Sequence, residues 1–422
     1  MKPLKVLLCA YACRPDKGSE PSVGWNVARE MVKYHEVWVL TRTNNSTAIE
    51  AELQQHPLSK LHFVYCDLPK WVQWWERDSW EVHIRYYLWQ IEAHATALNL
   101  HREIGFDLVH HVTYGRYCSP SFLAFLPLPF IWGPVGGGES APYPFWQDFG
   151  FRGRMYERLR DLSRWVGERD PLVQITAKQC AAAIATTSET STRLKTLGVK
   201  QIQMIVGQTG INQKELERLK MLEIRSSEQP IRFLSLGRLL HWKGFHLGIR
   251  AFAEAQLNEA EYWIVGEGSQ RQILQKLVQD LNISHCVRFF GELPREQALS
   301  ILGNCDVLVH PSLHDFSPTV CLEAMAAGRP IICFDLGGPS VQITDETGVK
   351  IAAHTPKQAV QDMAIAMQLL AHNWEMRVSM GQAGQRRVSE FYQWETKGQF
   401  LAQLYEQVTK KDPSCLQLLS HD

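Results

Sequence analysis

Two cations stand between glycines in the stretch Gly237–Gly244, which reads Gly-Arg-Leu-Leu-His-Trp-Lys-Gly. Arg238 presents a planar fork of N–H donors and Lys243 presents a compact positive charge, and both suit phosphate oxygens. At the end of a strand, this stretch predicts a clamp for a diphosphate. Two solvated loop cations are the alternative interpretation of the same residues.

Two carboxylates, Asp315 and Glu323, lie on either side of a predicted helix start. Ser317 is the expected N-cap of the helix Pro318–Ala327, and Gly328 ends it. The free N–H groups at a helix start favour an anion. Carboxylates, in contrast, accept hydrogen bonds from sugar hydroxyls. The stretch therefore predicts a site for a sugar phosphate, unless Glu323 is simply an exposed helical carboxylate.

Further glycine loops follow predicted strands. Gly18 allows the backbone to approach a ligand closely. The loop Gly133–Ser140 lacks the Gly-Lys-Ser/Thr of a phosphate loop, but Gly137 and Glu139 suit contact with substrate, with Glu139 orienting an acceptor hydroxyl. A plain flexible loop explains these residues equally well. Gly266 begins a Gly-Glu-Gly turn that lacks the third glycine of a dinucleotide fingerprint but is acceptable near a nucleotide.

These loops follow short apolar runs that alternate with helical patterns. The predicted strands are Val6–Ala10, Glu36–Thr41, Leu61–Cys66, Phe106–Val112, Pro129–Trp132, Ala181–Thr186, Ile231–Leu236, Ala260–Val265, Val287–Phe290, Val307–His310 and Ile331–Asp335. Such repetition predicts an α/β fold with parallel sheets wound on both faces. Ligands bind beyond the carboxyl ends of such strands, where the residues above stand.

The repetition restarts after residue 205, which predicts two Rossmann-like domains. The expected domains are residues 1–205 and 206–390. Residues 391–422 are expected to supply a helix over Thr396–Thr409, which packs back on the first domain, and a tail.

Composition narrows the function classes. The 422 residues carry 44 Lys+Arg and 44 Asp+Glu, and this zero net charge argues against a nucleic-acid binder. The 10 cysteines form no Cys-x-x-Cys pair, so a reducing cytoplasm fits better than zinc or a disulfide scaffold. Val6–Cys13 fits a buried strand better than a signal peptide, and no apolar run is long enough to span a bilayer.

The segment Trp71–Trp89 combines five tryptophans with Tyr86, Tyr87 and interleaved charges. One interpretation is a helix pair that packs on its own domain. The other is an amphipathic face that touches a membrane surface or an apolar acceptor.

Several motifs occur in the order typical of one family. Asp315-x7-Glu323 runs on to Arg329-Pro330, Gly237–Gly244 precedes it, Asp335–Pro339 follows, and Thr209–Asn212 is a looser match. Together they resemble the family 4 retaining glycosyltransferases of the GT-B fold, most clearly over residues 205–395. The resemblance implies that an acceptor domain, residues 1–205, and a donor domain, residues 206–390, face one another across a cleft.

The resemblance implies roles for the candidate residues. Arg238 and Lys243 would hold the donor diphosphate and stabilise the leaving nucleotide, Glu323 would bind the ribose, and Asp315 would contact the donor sugar. The further implied donor-site residues are Gly18, Gly237, Gly266, Ser317 and Thr319. The family usually has glutamate followed by Gly-Phe-Gly where this chain has Asp315-Phe316-Ser317-Pro318.

The family also carries a functional histidine near the end of the fourth strand, which implies a role for His110 or His111. Strand alternation sends these two side chains to opposite faces. One of them is expected to meet the donor sugar and the other to pack, and His111 is the preferred candidate. Two structural histidines are the alternative.

The resulting expectation is a retaining transferase that moves a sugar from a nucleotide-diphosphate sugar to a glycan, lipid-linked or small-molecule hydroxyl. Two cations and a helix N-terminus replace a metal ion, and no cofactor is expected. The family suggests cell-surface polysaccharide or glycolipid synthesis at the cytoplasmic membrane face. A GT-B phosphorylase or epimerase, and a non-catalytic subunit that binds sugar nucleotides, are the alternatives.

Overall fold

The structure, a computed structural model, describes residues 2–68, 81–205, 207–226 and 230–410. Two compact units divide the chain. The first unit contains Met1–Gly138, Ser163–Thr209 and Trp394–Asp422, and the second contains Glu139–Leu162 and Gly210–Gln393. The predicted division, with boundaries near residues 205 and 390 and a return of the last segment to the first domain, lacks the excursion of Glu139–Leu162 into the second unit. Alternating strands and helices do not reveal such an excursion.

The described strands all pair in parallel. They are β1 (Lys5–Cys9), β2 (Glu36–Thr41), β3 (Leu61–Tyr65), β4 (Leu108–His111), β5 (Phe130–Val135), β6 (Ala182–Ala185), β7 (Ile202–Met204), β8 (Ile231–Leu236), β9 (Ala260–Val265), β10 (Val287–Gly291), β11 (Val307–His310), β12 (Ile331–Phe334) and β13 (Gly348–Ile351). The first sheet has the order β3-β2-β1-β4-β5-β6-β7 and the second β10-β9-β8-β11-β12-β13. The predicted α/β class with two doubly wound parallel sheets is confirmed.

Helices connect the strands. They are α1 (Glu20–Met31), α2 (Ser46–Gln55), α3 (Glu81–Ile104), α4 (Phe151–Arg169), α5 (Pro171–Gln179), α6 (Ser188–Thr196), α7 (Gln213–Lys220), α8 (Phe245–Ala255), α9 (Arg271–Asp280), α10 (Arg295–Gly303), α11 (Thr319–Ala326), α12 (Gly337–Gln342), α13 (Pro356–His372), α14 (Trp374–Phe391) and α15 (Trp394–Lys410). The described helices include none long and apolar enough to cross a membrane.

The central strands are buried, as their continuous apolar runs predict. In β1, Val6, Leu7, Leu8 and Cys9 are all fully buried. The helix expected over Thr396–Thr409 is α15, which packs on α1 in the first unit. The approach is close, because a methyl group on Gly398 would lie 2.9 Å from Cβ of Glu30.

Two strands of the structure, β7 and β13, are absent from the predicted strands; they are edge strands of three and four residues. Short edge strands lack the long apolar run that identifies a central strand. Of the aromatic segment Trp71–Trp89, residues 71–80 lie outside the described residues. Trp89 is in α3 and is buried, so this tryptophan is a core residue.

Candidate functional site

Glycines allow the loops after β8, β9 and β11 to touch. Gly244 has φ +66°, and a methyl group there would lie 1.9 Å from the carbonyl oxygen of Pro311. Gly266 has φ +133°, and a methyl group there would lie 2.0 Å from the carbonyl oxygen of Gly237. Both positions therefore require glycine for steric reasons. The predicted donor-site glycines Gly237 and Gly266 lie together at the carboxyl ends of the neighbouring strands β8 and β9.

The second-unit loops bring Lys243 and Asp315 together. The Lys243 ammonium donates a short hydrogen bond to Asp315 Oδ2, and the two side chains are largely buried. Burial raises the pKa of Asp315, but the charges and hydrogen bonds of Lys243 and His310 together outweigh burial and hold that pKa well below its usual range. His310 Nε2, at the end of β11, lies 3.5 Å from the same oxygen. The carboxylate is therefore ionised, and the Lys243 ammonium retains further N–H groups for a ligand.

Arg238 stands apart from this ion pair. Its side chain is exposed at the same loop, and its guanidinium forms no ion pair within the described part of the chain. Because the fork is unpaired there, it can take a bidentate phosphate without first losing a protein contact. Arg238 and Lys243 thus follow one strand end, as the sequence analysis expects.

Glu323 of α11 is buried beside a cation that the sequence analysis missed. Arg295 Nη1, at the start of α10, lies 2.6 Å from Glu323 Oε1, and Arg295 also contacts Glu215. Burial raises the pKa of Glu323, and the Arg295 charge opposes that rise. The interpretation of Glu323 as an exposed helical carboxylate is wrong, because it is only 6% exposed. Arg295 follows Pro294 in a loop between a strand and a helix, and this position in the sequence could have identified it as a candidate site residue.

The helix start next to Asp315 differs by one residue from the expectation. Pro318 is the N-cap of α11 and has an extended backbone, so Thr319 is the first helical residue. Ser317 as N-cap is therefore wrong. The ring of Pro318 fixes φ and carries no N–H, so the first free amides belong to Thr319 and the residues that follow it.

Glu139 belongs to the second unit and lies near the Asp315 loop. A methyl group on Gly337 would lie 2.5 Å from the Asp315 carbonyl oxygen and 3.0 Å from Cγ of Glu139. Glu139 is 3% exposed. The structure thus groups the proposed acceptor residue Glu139 with the donor-site residues rather than with the first sheet, where the sequence analysis expects it.

A buried carboxylate from α4 ties two site loops together. Glu157 Oε1 lies 3.0 Å from His241 Nε2 and 3.2 Å from His314 Nε2. Burial raises the pKa of Glu157, but these two hydrogen bonds, together with the charges of His314 and Arg160, outweigh burial and bring the pKa to about 2. Trp242 stacks between Tyr156 and His314, with ring centroids 4.9 Å and 5.3 Å apart. Nothing in the local sequence around Glu157 indicates this role, because its partners are more than 80 residues away.

The two candidate histidines of β4 are buried in the first unit and face opposite sides of the sheet. His110 bonds to Tyr405 Oη and the Gly133 carbonyl, both at 2.5 Å. His111 bonds to Tyr86 Oη at 2.9 Å and Ser121 Oγ at 2.8 Å. The Gly133 carbonyl only accepts, so His110 carries its proton on Nε2. Every ring nitrogen of His110 and His111 therefore has a hydrogen-bond partner within the first unit. A functional role for either histidine stays a prediction.

The remaining first-unit candidates lie on loops. Gly18 is exposed, and a methyl group there would meet nothing within 4 Å. Gly137 has φ +94°, and its carbonyl accepts from Arg164 Nη2 at 2.8 Å. One further residue was missed: Glu20, whose carboxylate accepts the backbone N–H of Tyr114 and whose pKa burial raises.

The buried histidines should make the folded protein less stable in acid. Burial lowers the pKa of His110 to about 3 and those of His111 and His314 to about 4, from 6.5. As the pH falls, these histidines bind protons in the unfolded chain at a higher pH than they do in the folded protein. The folded protein therefore loses stability as the pH falls below about 6.5. Glu20 and Glu323, whose pKa values are raised, act in the opposite direction but are fewer.

We therefore expect the free energy of unfolding, measured with urea, to be several kcal/mol lower at pH 5 than at pH 7.5. His56→Gln and His285→Gln, at exposed positions, should leave this difference unchanged. Equal stability at both pH values would contradict the prediction.

Sequence comparison shows similarity to a known family. Residues 217–387 match glycosyl transferases group 1. The D-inositol 3-phosphate glycosyltransferase of Corynebacterium jeikeium is 27% identical over 183 residues, 41% of this chain and 42% of that protein. The glycogen synthase of Mycobacterium tuberculosis is 27% identical over 304 residues, 71% of this chain and 68% of that protein. The chain thus covers about two-fifths of the first relative's length.

One solved structure has a similar fold over nearly the whole chain. The structure of Anabaena Alr3699/HepE, solved in complex with UDP, matches 96% of this chain and 100% of that chain with a TM-score of 0.61 and 15% identity. The second unit is therefore similar in sequence to glycosyl transferases group 1. The two parallel sheets have a fold that is also found in the solved glycosyltransferase WaaG, with a TM-score of 0.57 and 18% identity over 95% of this chain and 99% of that chain.

Proposed function

We propose that the protein is a retaining glycosyltransferase that uses a nucleotide-diphosphate sugar. The observation that carries this proposal is the arrangement after β8 and β11: an Arg238 with no ion-pair partner among the described residues, a Lys243 bonded to Asp315, and the start of α11. The match of residues 217–387 to glycosyl transferases group 1 supports it.

The chemistry follows from these groups. Breaking the bond between the anomeric carbon and the phosphate leaves negative charge on the diphosphate and oxocarbenium character on the sugar. Arg238 and Lys243 stabilise the departing diphosphate. The ionised Asp315 accepts hydrogen bonds from sugar hydroxyls, and Glu323 accepts from the ribose. The acceptor hydroxyl attacks the anomeric carbon from the face that the nucleotide leaves and passes its proton to the departing phosphate oxygen, so the anomeric configuration is retained.

The remaining parts of the proposal concern substrates and setting. Glu139, beside Gly337, is the proposed acceptor-positioning residue, and the acceptor is a hydroxyl of a glycan or lipid-linked sugar. Two fixed cations take the charge that a metal would otherwise neutralise, so transfer is expected without added metal. The nine described cysteines are free thiols, which suits the reducing cytoplasm proposed here.

The test is a thermal-stability screen with UDP-, GDP- and ADP-sugars in EDTA. A ligand that binds only the folded protein raises the melting temperature by mass action, and one nucleotide series should do so. Incubation of that donor with glycan acceptors, followed by NMR of the new anomeric centre, then tests transfer and retention. A donor that binds but is neither transferred nor hydrolysed would support the non-catalytic alternative. Stabilisation by none of the donors would contradict the donor site itself.

A further inference from the structure

Helix α4 presents an apolar stripe to solvent. Phe151, Met155, Leu159 and Leu162 are 72%, 39%, 57% and 55% exposed. With 3.6 residues per turn, these four positions fall within an arc of about 80°. All four belong to the second-unit part of the helix. Large apolar side chains that are exposed in a continuous row mark an interaction surface.

The opposite face of the same helix is already packed. A methyl group on Gly153 would lie 3.1 Å from the His241 ring, and Glu157 bonds to both His241 and His314. Gly153 and Glu157 are on the far side of the helix from the stripe. The inner face therefore fixes the helix, and the apolar stripe is a second, outward face.

Arginines flank the stripe. Between residues 151 and 162 the helix carries four arginines and two acids, one of which is the buried Glu157. Arg152 is exposed on one side of the stripe, and Arg154 and Arg158 are exposed on the other. A helix with an apolar face between cationic side chains has the pattern of segments that lie in the plane of a membrane interface.

We propose that this face of α4 binds the surface of a membrane that contains anionic lipid. Phe151 and Leu159 would enter the boundary between headgroups and acyl chains, and the arginines would pair with lipid phosphates. A second copy of the chain suits the surface less well, because pairing two stripes would place their arginines near one another. The residues of this face are not those of the segment Trp71–Trp89. The proposal is independent of the proposed function, because lipid binding needs neither donor nor acceptor.

The test is co-sedimentation of the full chain with vesicles of phosphatidylcholine, alone or mixed with phosphatidylglycerol. The wild type should sediment with the anionic vesicles and much less with the neutral ones, and added salt should weaken binding. Phe151→Ser/Leu159→Ser should lower the partition coefficient at least about tenfold. Arg152→Gln/Arg154→Gln/Arg158→Gln should do the same.

The matched control is Met221→Ser/Ile365→Ser, at residues that are 82% and 61% exposed elsewhere in the second unit. This control should bind vesicles like the wild type, and all variants should keep the wild-type melting temperature because the changed side chains are exposed. A wild type that stays in the supernatant, or a stripe variant that binds as well as the control, would overturn the proposal. A wild-type dimer that the stripe variant converts to monomer, without vesicle binding, would identify a second copy as the occupant and overturn it too.

Discussion

The double substitution Arg238→Ala/Lys243→Ala is expected to abolish sugar transfer while the protein stays folded. Removing one group that stabilises developing negative charge typically costs roughly 10²–10³ in turnover. Losing both cations leaves the departing diphosphate with the helix start alone. The loss should appear in initial rates of nucleotide release from the donor found in the thermal screen.

The two single variants separate the effects of the cations. Arg238→Ala removes an exposed side chain that forms no ion pair with the described residues, so the melting temperature of this variant should not change. Lys243→Ala leaves the buried Asp315 carboxylate without its ammonium, so it should lose stability as well as activity. Lys243→Ala/Asp315→Asn should recover the stability but not the activity.

The ion pair also has a pH signature. The pKa of Asp315 is depressed in the folded protein, so the stabilisation from the pair is present above about pH 3.8 and is lost as pH falls further. In Lys243→Ala this part of the acid destabilisation should disappear. Lys276→Ala, which removes an exposed cation on α9, controls for net charge.

Wild-type turnover by the double variant Arg238→Ala/Lys243→Ala would contradict the assignment of both cations.

Glu157→Ala is expected to destabilise the second unit and to weaken donor binding together. The change leaves the inward-facing nitrogens of His241 and His314 without their common acceptor in a buried site. Hydrogen bonds to a buried charged group are worth about 1.5–3 kcal/mol each, so a loss of about 3 kcal/mol is a reasonable expectation. His241 lies in the Gly237–Gly244 loop and His314 precedes Asp315, so both halves of the site should loosen.

Two variants sharpen the Glu157 experiment. Glu157→Gln keeps one acceptor oxygen and the shape of the side chain, so it should lose less stability and less donor affinity. Glu168→Ala lies on the same helix, where Glu168 bonds to Tyr117 and Arg193 and is partly exposed, so it should cost no more than about 1 kcal/mol. The measurements are urea unfolding and donor titration. If Glu157→Ala loses no more stability and no more donor affinity than Glu168→Ala, then Glu157 does not position the two site loops.

The sequence by itself determined the α/β class, most of the central strands and the Gly237–Gly244 loop. Local features fix these properties: apolar runs specify buried parallel strands, and glycines mark the strand-end loops. Arg238, Lys243 and Asp315 were found because they lie in loops that follow strands, and Glu323 was found through its spacing from Asp315 in the family motif.

Only the tertiary structure decided which side chains meet. Glu157 reaches His241 and His314, Arg295 reaches Glu323, and Glu139 joins the second unit, because contacts between distant segments depend on packing that no local pattern records. The engaged rings of His110 and His111, and the exposure of the α4 stripe, are likewise set by what packs around them. An apolar helix face looks the same in sequence whether it enters a core or meets solvent, and the fold alone distinguishes the two.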